Sequence, residues 1–343
     1  MDAVARLLPD YSIVVRTSAS RWLFDHTMRA PFTWLEGPTD TGIVQIDSLR
    51  LDEHETIRQA ERFYRDFGIR RDLEVTLLGE ATARFVVSDA PPLACAAAAW
   101  LGIPCAVVAN FTWDWIYEGY PEHLAEAPDL IPTIRGAYAQ ADEAWRLPMH
   151  GGFAAFDRIV DLPFIGRRAT RERAEVRQIL GLPADRRLAL SSFGGYGLGS
   201  LNRAEFDCLD DFGVIVTGHR DPGRLPSGVH FILEGTIFDA GLRYEDLVGA
   251  VDVVVSKPGF GIIAECVTNK TAMLYTSRGR FVEYDVLVAE MPRVLRCAFL
   301  DEPSLRAGRW LEALEHVLSL PPPPETPATN GAEIVATMIR DRV

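Results

Sequence analysis

The chain has 343 residues, 48% of them apolar and 24% charged, with a formal net charge of −13. That length holds two domains of ordinary size, each with a real core. The acidity excludes broad binding to a nucleic-acid backbone, which needs cationic surface, but leaves room for one small anionic ligand in a local basic pocket.

Ala3–Leu8 reads as the end of a helix and Tyr11–Thr17 as the first clear strand. A βαβ unit places a strand before such a helix, so the chain reads as opening inside a first βα unit. Gly42–Asp47 alternates like a short strand. Asp52–Phe67 is an amphipathic helix with Ile57, Ala60, Phe63, Tyr64 and Phe67 on one face. Arg84–Val87 is a buried strand ending at Ser88-Asp89. Pro91-Pro92 then opens the helix Leu93–Leu101, with proline in its tolerated first-turn place. Gly102 ends that helix and Pro104–Ala109 is the next strand, giving a compact βαβ unit of a parallel sheet. Asp89 and Asn110 stand at carboxyl ends of strands. Asp89 reads either as a base or substrate ligand or, more commonly for an acid there, as the cap of the next helix. Phe111, Trp113, Asp114, Trp115 and Tyr117 follow: rings and an acid that form an acceptor surface or fill a core. Ala137–Trp145 reads as a helix, and Arg158–Gly166 carries the change of domain. The basic stretch Arg167–Arg173 reads as solvated surface, followed by a helix at Ala174–Leu180.

Arg187–Ser191 starts a second sheet. It runs into Ser192-Phe-Gly194-Gly195-Tyr196-Gly197-Leu-Gly199, four glycines within six residues that allow close backbone approach to a ligand. A helix at Glu205–Leu209, strands at Val214–Thr217 and Val229–Leu233, and a helix at Tyr244–Val248 follow. The β-branched run Val253–Val255 is a buried strand, broken by Ser256, Lys257, Pro258 and Gly259, and Gly261–Val267 is the next helix. Strand, glycine turn and helix start make an anion site from free N–H groups and the positive helix end, to which Lys257 adds a cation. Glu265, about one and a half turns into the helix, is placed to accept hydrogen bonds from vicinal hydroxyls such as those of a ribose. A plain strand–helix turn is the alternative reading. Thr271–Ser277 is the following strand, ahead of Arg278, Arg280, Phe281, Glu283, Tyr284 and Asp285 at the mouth of another helix. Two successive strand ends thus carry glycine, cationic and acidic groups to the edge where ligands of parallel sheets bind. Leu295–Leu300 is a further strand and Leu305–Leu318 a helix with Trp310, Leu311, Leu314 and Val317 inward. Pro321–Pro324 is a stiff break before a last helix, Ile334–Ile339, that folds back.

The five cysteines, Cys95, Cys105, Cys208, Cys266 and Cys297, lie scattered in apolar runs without a CxxC pair. They read as buried free thiols of a reducing cytoplasm, with no metal site. No apolar run reaches the length of a membrane span, and the start MDAVARLLPD lacks the apolar core of a secretion signal. A cytoplasmic location with no transmembrane segment follows as the expectation.

The stretches VVSDAPPLACAAAAWLGIP, NFTWDWIY, SSFGGYG, SKPGFGIIAEC and LYTSRGRFVEYDVL resemble the two-Rossmann (GT-B) glycosyltransferases, family 28 in particular. The likeness is greatest to the glycosyltransferase-like N-terminal region of L-arabinokinases and its bacterial stand-alone relatives. The resemblance implies an α/β fold of two Rossmann-like domains facing each other across a cleft. Residues 1–160 form the acceptor domain, 161–320 the donor domain, and 321–343 a Pro-rich linker and C-terminal helix. It implies a donor nucleotide-sugar, expected to be a UDP-sugar, with no cofactor and no nucleic-acid partner. Gly194, Gly195 and Tyr196 with Lys257, Gly259 and Gly261 would hold the diphosphate, Glu265 the ribose, and Ile237 and Phe238 the base. Arg278, Arg280, Glu283 and Tyr284 would face the donor sugar, and Asn110, Trp113 and Asp114 the unidentified acceptor. One departure stands out: relatives begin with a strand and a glycine–histidine loop whose histidine is a candidate base, and no such motif occurs here. The first domain is therefore expected to lack its first strand, and Asp89 is the remaining candidate base. No kinase module follows Val343, so phosphorylation of a sugar is not expected. Metal-independent sugar transfer is the working expectation. A nucleotide-sugar sensor that binds without turnover and an epimerase of the same architecture are the rivals.

Overall fold

In the computed structural model, residues 1–193, 211–219, 223, 225–226 and 228–343 are described. Their internal contacts divide the chain into two units. The first comprises Met1–Val44, Leu51–Ile165 and Asn330–Val343, the second Gln45–Arg50 and Gly166–Thr329.

In the first unit, β1 (Val14–Thr17) pairs in parallel with β2 (Thr33–Glu36). β3 (Val86–Ser88), β4 (Cys105–Phe111), β5 (Glu143–Gly151) and β6 (Ile159–Asp161) form a parallel sheet in the order β3-β4-β5-β6. The expected βαβ unit is present: a helix at Pro92–Leu101, with proline in its first turn and Gly102 closing it at φ 65°, links β3 to β4. The C-terminal helix Gly331–Arg340 packs Val335, Ala336 and Ile339 against Trp145 and Leu162 of this unit.

The second unit holds β7 (Arg187–Ser192), β8 (Phe212–Gly218), β9 (Val229–Leu233), β10 (Val253–Ser256), β11 (Ala272–Tyr275) and β12 (Cys297–Phe299). All its pairings are parallel, in the order β12-β11-β10-β7-β8-β9. The chain builds outward from β7 to β9, then returns to the other side of β7 with β10. Val253, Val254 and Val255 are buried at 1% exposure or less, as strands covered on both faces require. Trp310, Leu314 and Val317 fill the same core.

Several local expectations are corrected. Ala137–Trp145 is not one helix: a helix covers Leu130–Tyr138, and Glu143–Trp145 already belong to β5. There the Trp145 indole donates to the Glu143 carboxylate across 2.8 Å, so the segment's acid is an internal partner instead of a helix surface. Gly42–Asp47 is not a strand. The Asp47 carboxylate accepts the backbone N–H groups of Leu49 and Arg50 at 2.8 and 2.9 Å, curling the segment into a loop. The span Leu305–Leu318 is two helices, Glu302–Ala307 and Leu311–Ser319, parted at Gly308 with φ 76°. β2 and the helix Phe67–Glu80 carry no clean periodicity and are not anticipated from the sequence. The expected helix Glu205–Leu209 lies outside the described residues. Cys95, Cys105 and Cys266 are buried and Cys297 is half-buried, all as free thiols; Cys208 lies outside the described residues. Among the described residues no helix is long and apolar enough to cross a membrane.

Asp252 braces the base of β10. Its carboxylate accepts from Arg173 at 2.6 Å, from Arg177 at 3.0 Å and from the Leu188 backbone N–H of β7 at 2.8 Å. Arg177, 6% exposed, also donates to the carbonyls of Ala250 and Arg186, each at 2.9 Å. Removing a buried ion-pair partner strands the groups left behind. Arg177→Met is therefore expected to cost about 3 kcal/mol, read as a lowered denaturant midpoint.

Candidate anion-binding site at the carboxyl ends of β7, β10 and β11

The strand order reverses between β7 and β10, and open parallel sheets bind ligands outside the carboxyl ends of their strands at such a reversal. Register sharpens the placement. Ser256 of β10 lies opposite Ser192 of β7 and Tyr275 of β11, so all three strands end level. The Ser256 hydroxyl donates to the Ser192 carbonyl, and the Thr276 N–H to the Ser256 carbonyl at 3.2 Å. The segments that begin at Phe193, Lys257 and Thr276 therefore leave the sheet side by side.

The helix after β10 spans Phe260–Asn269, one residue earlier and two later than the sequence reading. Its N-cap is Gly259, and no side chain caps it. The first N–H groups of a helix have no partner within it and carry the positive end of the macrodipole. A Cβ built on Gly259 or Gly261 would meet nothing within 4 Å. Gly259 is extended, at φ −165°, a conformation open to any residue. Neither local packing nor backbone conformation demands glycine at these two positions, whereas close approach of a ligand does.

Cations gather beside this helix end. Burial, then the nearby Arg278 charge, pulls the Lys257 amine down to about 8. Arg278 donates to Glu283 at 2.8 Å and to the Pro258 carbonyl at 3.3 Å, and its guanidinium lies 3.8 Å from the centre of the Phe281 ring. Glu283 is 7% exposed, and its Oε2 has no hydrogen-bond partner among the described residues. One participant is not anticipated by any local pattern. The loop Gln45–Arg50, drawn from the first half of the chain, belongs to the second unit. Gln45 Oε1 lies 3.4 Å from the Lys257 amine, and Ser48 donates to the Phe193 carbonyl at 3.0 Å. The Leu49 carbonyl approaches Gly279, at φ 59°, so closely that a Cβ there would stand 2.9 Å away. No periodic pattern could report these contacts, because they join residues over 140 positions apart.

Glu265 sits 5% exposed on the inner side of the helix. Arg167 donates through Nε to its Oε1 at 2.7 Å and through a second nitrogen to the same oxygen. Arg167 also lies 3.5 Å from Glu245. This arginine is exposed, as the sequence reading of Arg167–Arg173 has it, and is at the same time ion-paired. Burial pushes the Glu265 carboxyl up, and Arg167 holds part of that rise back. Tyr244 donates to Ser192 Oγ at 2.6 Å, its phenol pushed up to about 12 chiefly by burial.

The remaining candidates are placed as follows. Gly194, Gly195 and Tyr196 lie outside the described residues. Ile237 and Phe238 fall in the short helix Glu234–Asp239, where Ile237 is buried. Arg280 is exposed and Tyr284, half-buried, starts the helix Tyr284–Val294. In the first unit, Asp89 follows β3; protein crowds it and raises its carboxyl, yet its side chain reaches solvent. Asn110 donates to the Pro148 carbonyl at 2.6 Å. Trp113 is buried and donates to Asp40 at 2.9 Å, and Asp114, 1% exposed, accepts from Arg135 at 2.8 Å. Both side chains are buried, and Asp114 keeps its Oδ1 without a hydrogen-bond partner among the described residues. Glu53, Glu122 and His123 of the first unit bring potential ligand atoms within 4.8 Å of one another.

No protein-family model matches the chain. It is similar to L-arabinokinase of Arabidopsis thaliana, 28% identical over 338 residues, covering 96% of this chain. The chain spans 31% of the length of that relative. Among solved structures, the glycotransferase of kitacinnamycin superposes with a TM-score of 0.62 at 17% identity, covering 100% of this chain and 94% of that one. The glycosyltransferase VinC in complex with DTDP gives 0.58 at 16% identity, covering 100% and 91%. The fold is that of the GT-B glycosyltransferases, with two Rossmann-like domains built on parallel sheets.

Two measurements follow from this geometry. The Lys257 amine is protonated below about pH 8 and loses its charge above. Affinity for a nucleoside diphosphate should fall several-fold between pH 7 and 9.5 in calorimetric titrations, and Lys257→Met should remove that step. Gly261→Ala should leave stability unchanged or higher by about 0.5 kcal/mol, since alanine favours helix. The same change should weaken diphosphate binding by roughly tenfold through steric exclusion.

Proposed function

We propose that this chain binds a nucleoside-diphosphate sugar in its second unit and transfers the sugar to an acceptor hydroxyl without a metal. The observation that carries this reading is the pairing of Lys257 and Arg278 with an uncapped helix end, at the strand-order reversal, before two glycines that face open space. Such a place suits a diphosphate. The helix end, Lys257, Gly259 and Gly261 would hold it, with the segment Gly194–Tyr196 alongside. Glu265 would take the ribose hydroxyls, and the Ile237–Phe238 segment the base. Arg278, Arg280, Glu283 and Tyr284 would face the sugar. UDP is the expected nucleotide, and dTDP its competitor, given the ligand of VinC.

In the transfer step the acceptor oxygen attacks the anomeric carbon, the bond to the diphosphate oxygen breaks, and the acceptor proton passes to a base. Preorganised positive groups where the leaving charge appears supply the largest catalytic contribution. Asp89 is the proposed base. Its raised carboxyl is better matched to proton abstraction near neutrality than an ordinary one, and the rate is expected to rise with pH as it ionises. Asn110 would line the acceptor side. Residues 1–160 then act as the acceptor domain and 161–320 as the donor domain, in the cytoplasm.

The test is calorimetric titration with UDP and dTDP beside an assay of nucleoside-diphosphate release from UDP-sugars. Glu265→Ala is expected to weaken nucleotide binding at least about tenfold, the size of a lost charge-assisted hydrogen bond. Asp89→Asn should keep binding and abolish release. Unchanged binding in the Glu265 variant contradicts the site. Tight binding with no release by the unaltered protein assigns a sensor in place of an enzyme.

A further inference from the structure

Arg167 lies 98 residues from Glu265 in sequence, yet both of its bonds to that side chain end on one oxygen, Oε1. Its delivery depends on Gly166. A Cβ at Gly166 would stand 2.0 Å from Thr268 Oγ1 and 2.4 Å from the Ala264 carbonyl. Only a glycine lets the segment lie flat on the helix Phe260–Asn269 and bring the next side chain onto Glu265. Asn269 adds a second clasp, donating to the Arg167 carbonyl at 2.9 Å, while its own oxygen accepts the Ala169 N–H at 2.8 Å. The segment entering the second unit is therefore built to hold a guanidinium against one particular carboxylate.

We infer that Arg167 is a positioning residue for the nucleotide: it fixes Glu265 in one rotamer and in its charged form, with Oε2 left to accept from ribose hydroxyls. This rests on the donor-site reading of Glu265. Among the described residues the groups facing Glu265 are Arg167 from the entering segment, Glu245 and Tyr244 from the helix Tyr244–Ala250, and the neighbouring Cys266 thiol. Of these only Arg167 is a cation; Glu245 and burial both oppose ionisation. Without the guanidinium the carboxyl would hold its proton to higher pH. A protonated carboxyl offers a weaker acceptor to a hydroxyl than a carboxylate does.

The experiment measures the Kd of UDP and of 2′-deoxy-UDP from pH 5.5 to 9 for the unaltered protein, Arg167→Lys, Arg167→Gln and Glu265→Gln. Glu265→Gln should lose the preference for UDP at every pH. Arg167→Gln should lose about tenfold in UDP affinity at pH 6.5 and regain it as pH rises and Glu265 ionises. Arg167→Lys should stay near the unaltered protein. Normal UDP binding by Arg167→Gln across the range, with Glu265→Gln impaired, overturns the role of Arg167 and leaves the ribose site standing. Normal binding by Glu265→Gln overturns both. If Arg167→Gln does not fold, the unaltered protein decides with Arg167→Lys. Both must keep their preference for UDP as pH drops to 6.5, since each holds a cation against Glu265, and a preference already lost there in the unaltered protein refutes the inference.

Discussion

The level ending of three neighbouring parallel strands is the constraint on which the rest depends. Ser192, Ser256 and Tyr275 stand opposite one another, so the segments beyond them share one rim. Parallel pairing sets this, since every strand points the same way and every following turn leaves from the same edge. The return of the chain to the far side of β7 then opens a gap in that rim at β10. Asp252, tied to Arg173, Arg177 and the Leu188 N–H, fixes the opposite ends of the same two strands. A slip of one residue there would move Lys257 and Gly259 off the rim and exchange the sheet faces to which the valines point.

Cations and acids meet at this rim: Glu283 pairs with Arg278, and Glu283 and Asp47 both act on the Lys257 amine. Arg278 lies close enough to oppose the proton on Lys257, and the helix end adds its own positive potential. Glu283 answers Arg278 with Oε1 and leaves Oε2 unpaired. Deeper in the same helix the arrangement is inverted: there Glu265 is the buried charge and Arg167 its counter-ion. On the proposed reading, cations at the rim above a held carboxylate would meet a ligand with an anionic middle and a hydroxylated flank. A diphosphate bonded to a ribose has that order of groups.

The aromatic stretch after β4 shows how similar residues serve the other unit in another way. Trp113 and Tyr117 stack at 5.4 Å, and their polar atoms meet Asp40 and Thr41. Asp114 is closed off by Arg135. Large rings contribute most where they are buried, so the segment secures the fold around Asn110 and Asp89 and exposes little of itself.

Val253–Val255 with Ser256–Gly259 behind it was legible as strand and turn because β-branching, a proline and a glycine act within a few residues. The same holds for Pro92–Gly102, where helix start and stop are written locally. Glu143–Trp145 was misread because an alanine-rich neighbourhood favours helix while the pairing of β5 with β4 and β6 is what decides. Ile46 and Val44 alternate like a strand, yet Ile46 is 57% exposed in a loop. The amino-acid sequence by itself settled the parallel α/β class and the position of the glycine turn, since these follow from short-range pattern. Only the tertiary structure decided that Arg167 meets Glu265, that Gln45 reaches Lys257, and that Trp113 and Asp114 turn inward. Those choices depend on contacts between residues far apart in the chain, which no local periodicity encodes.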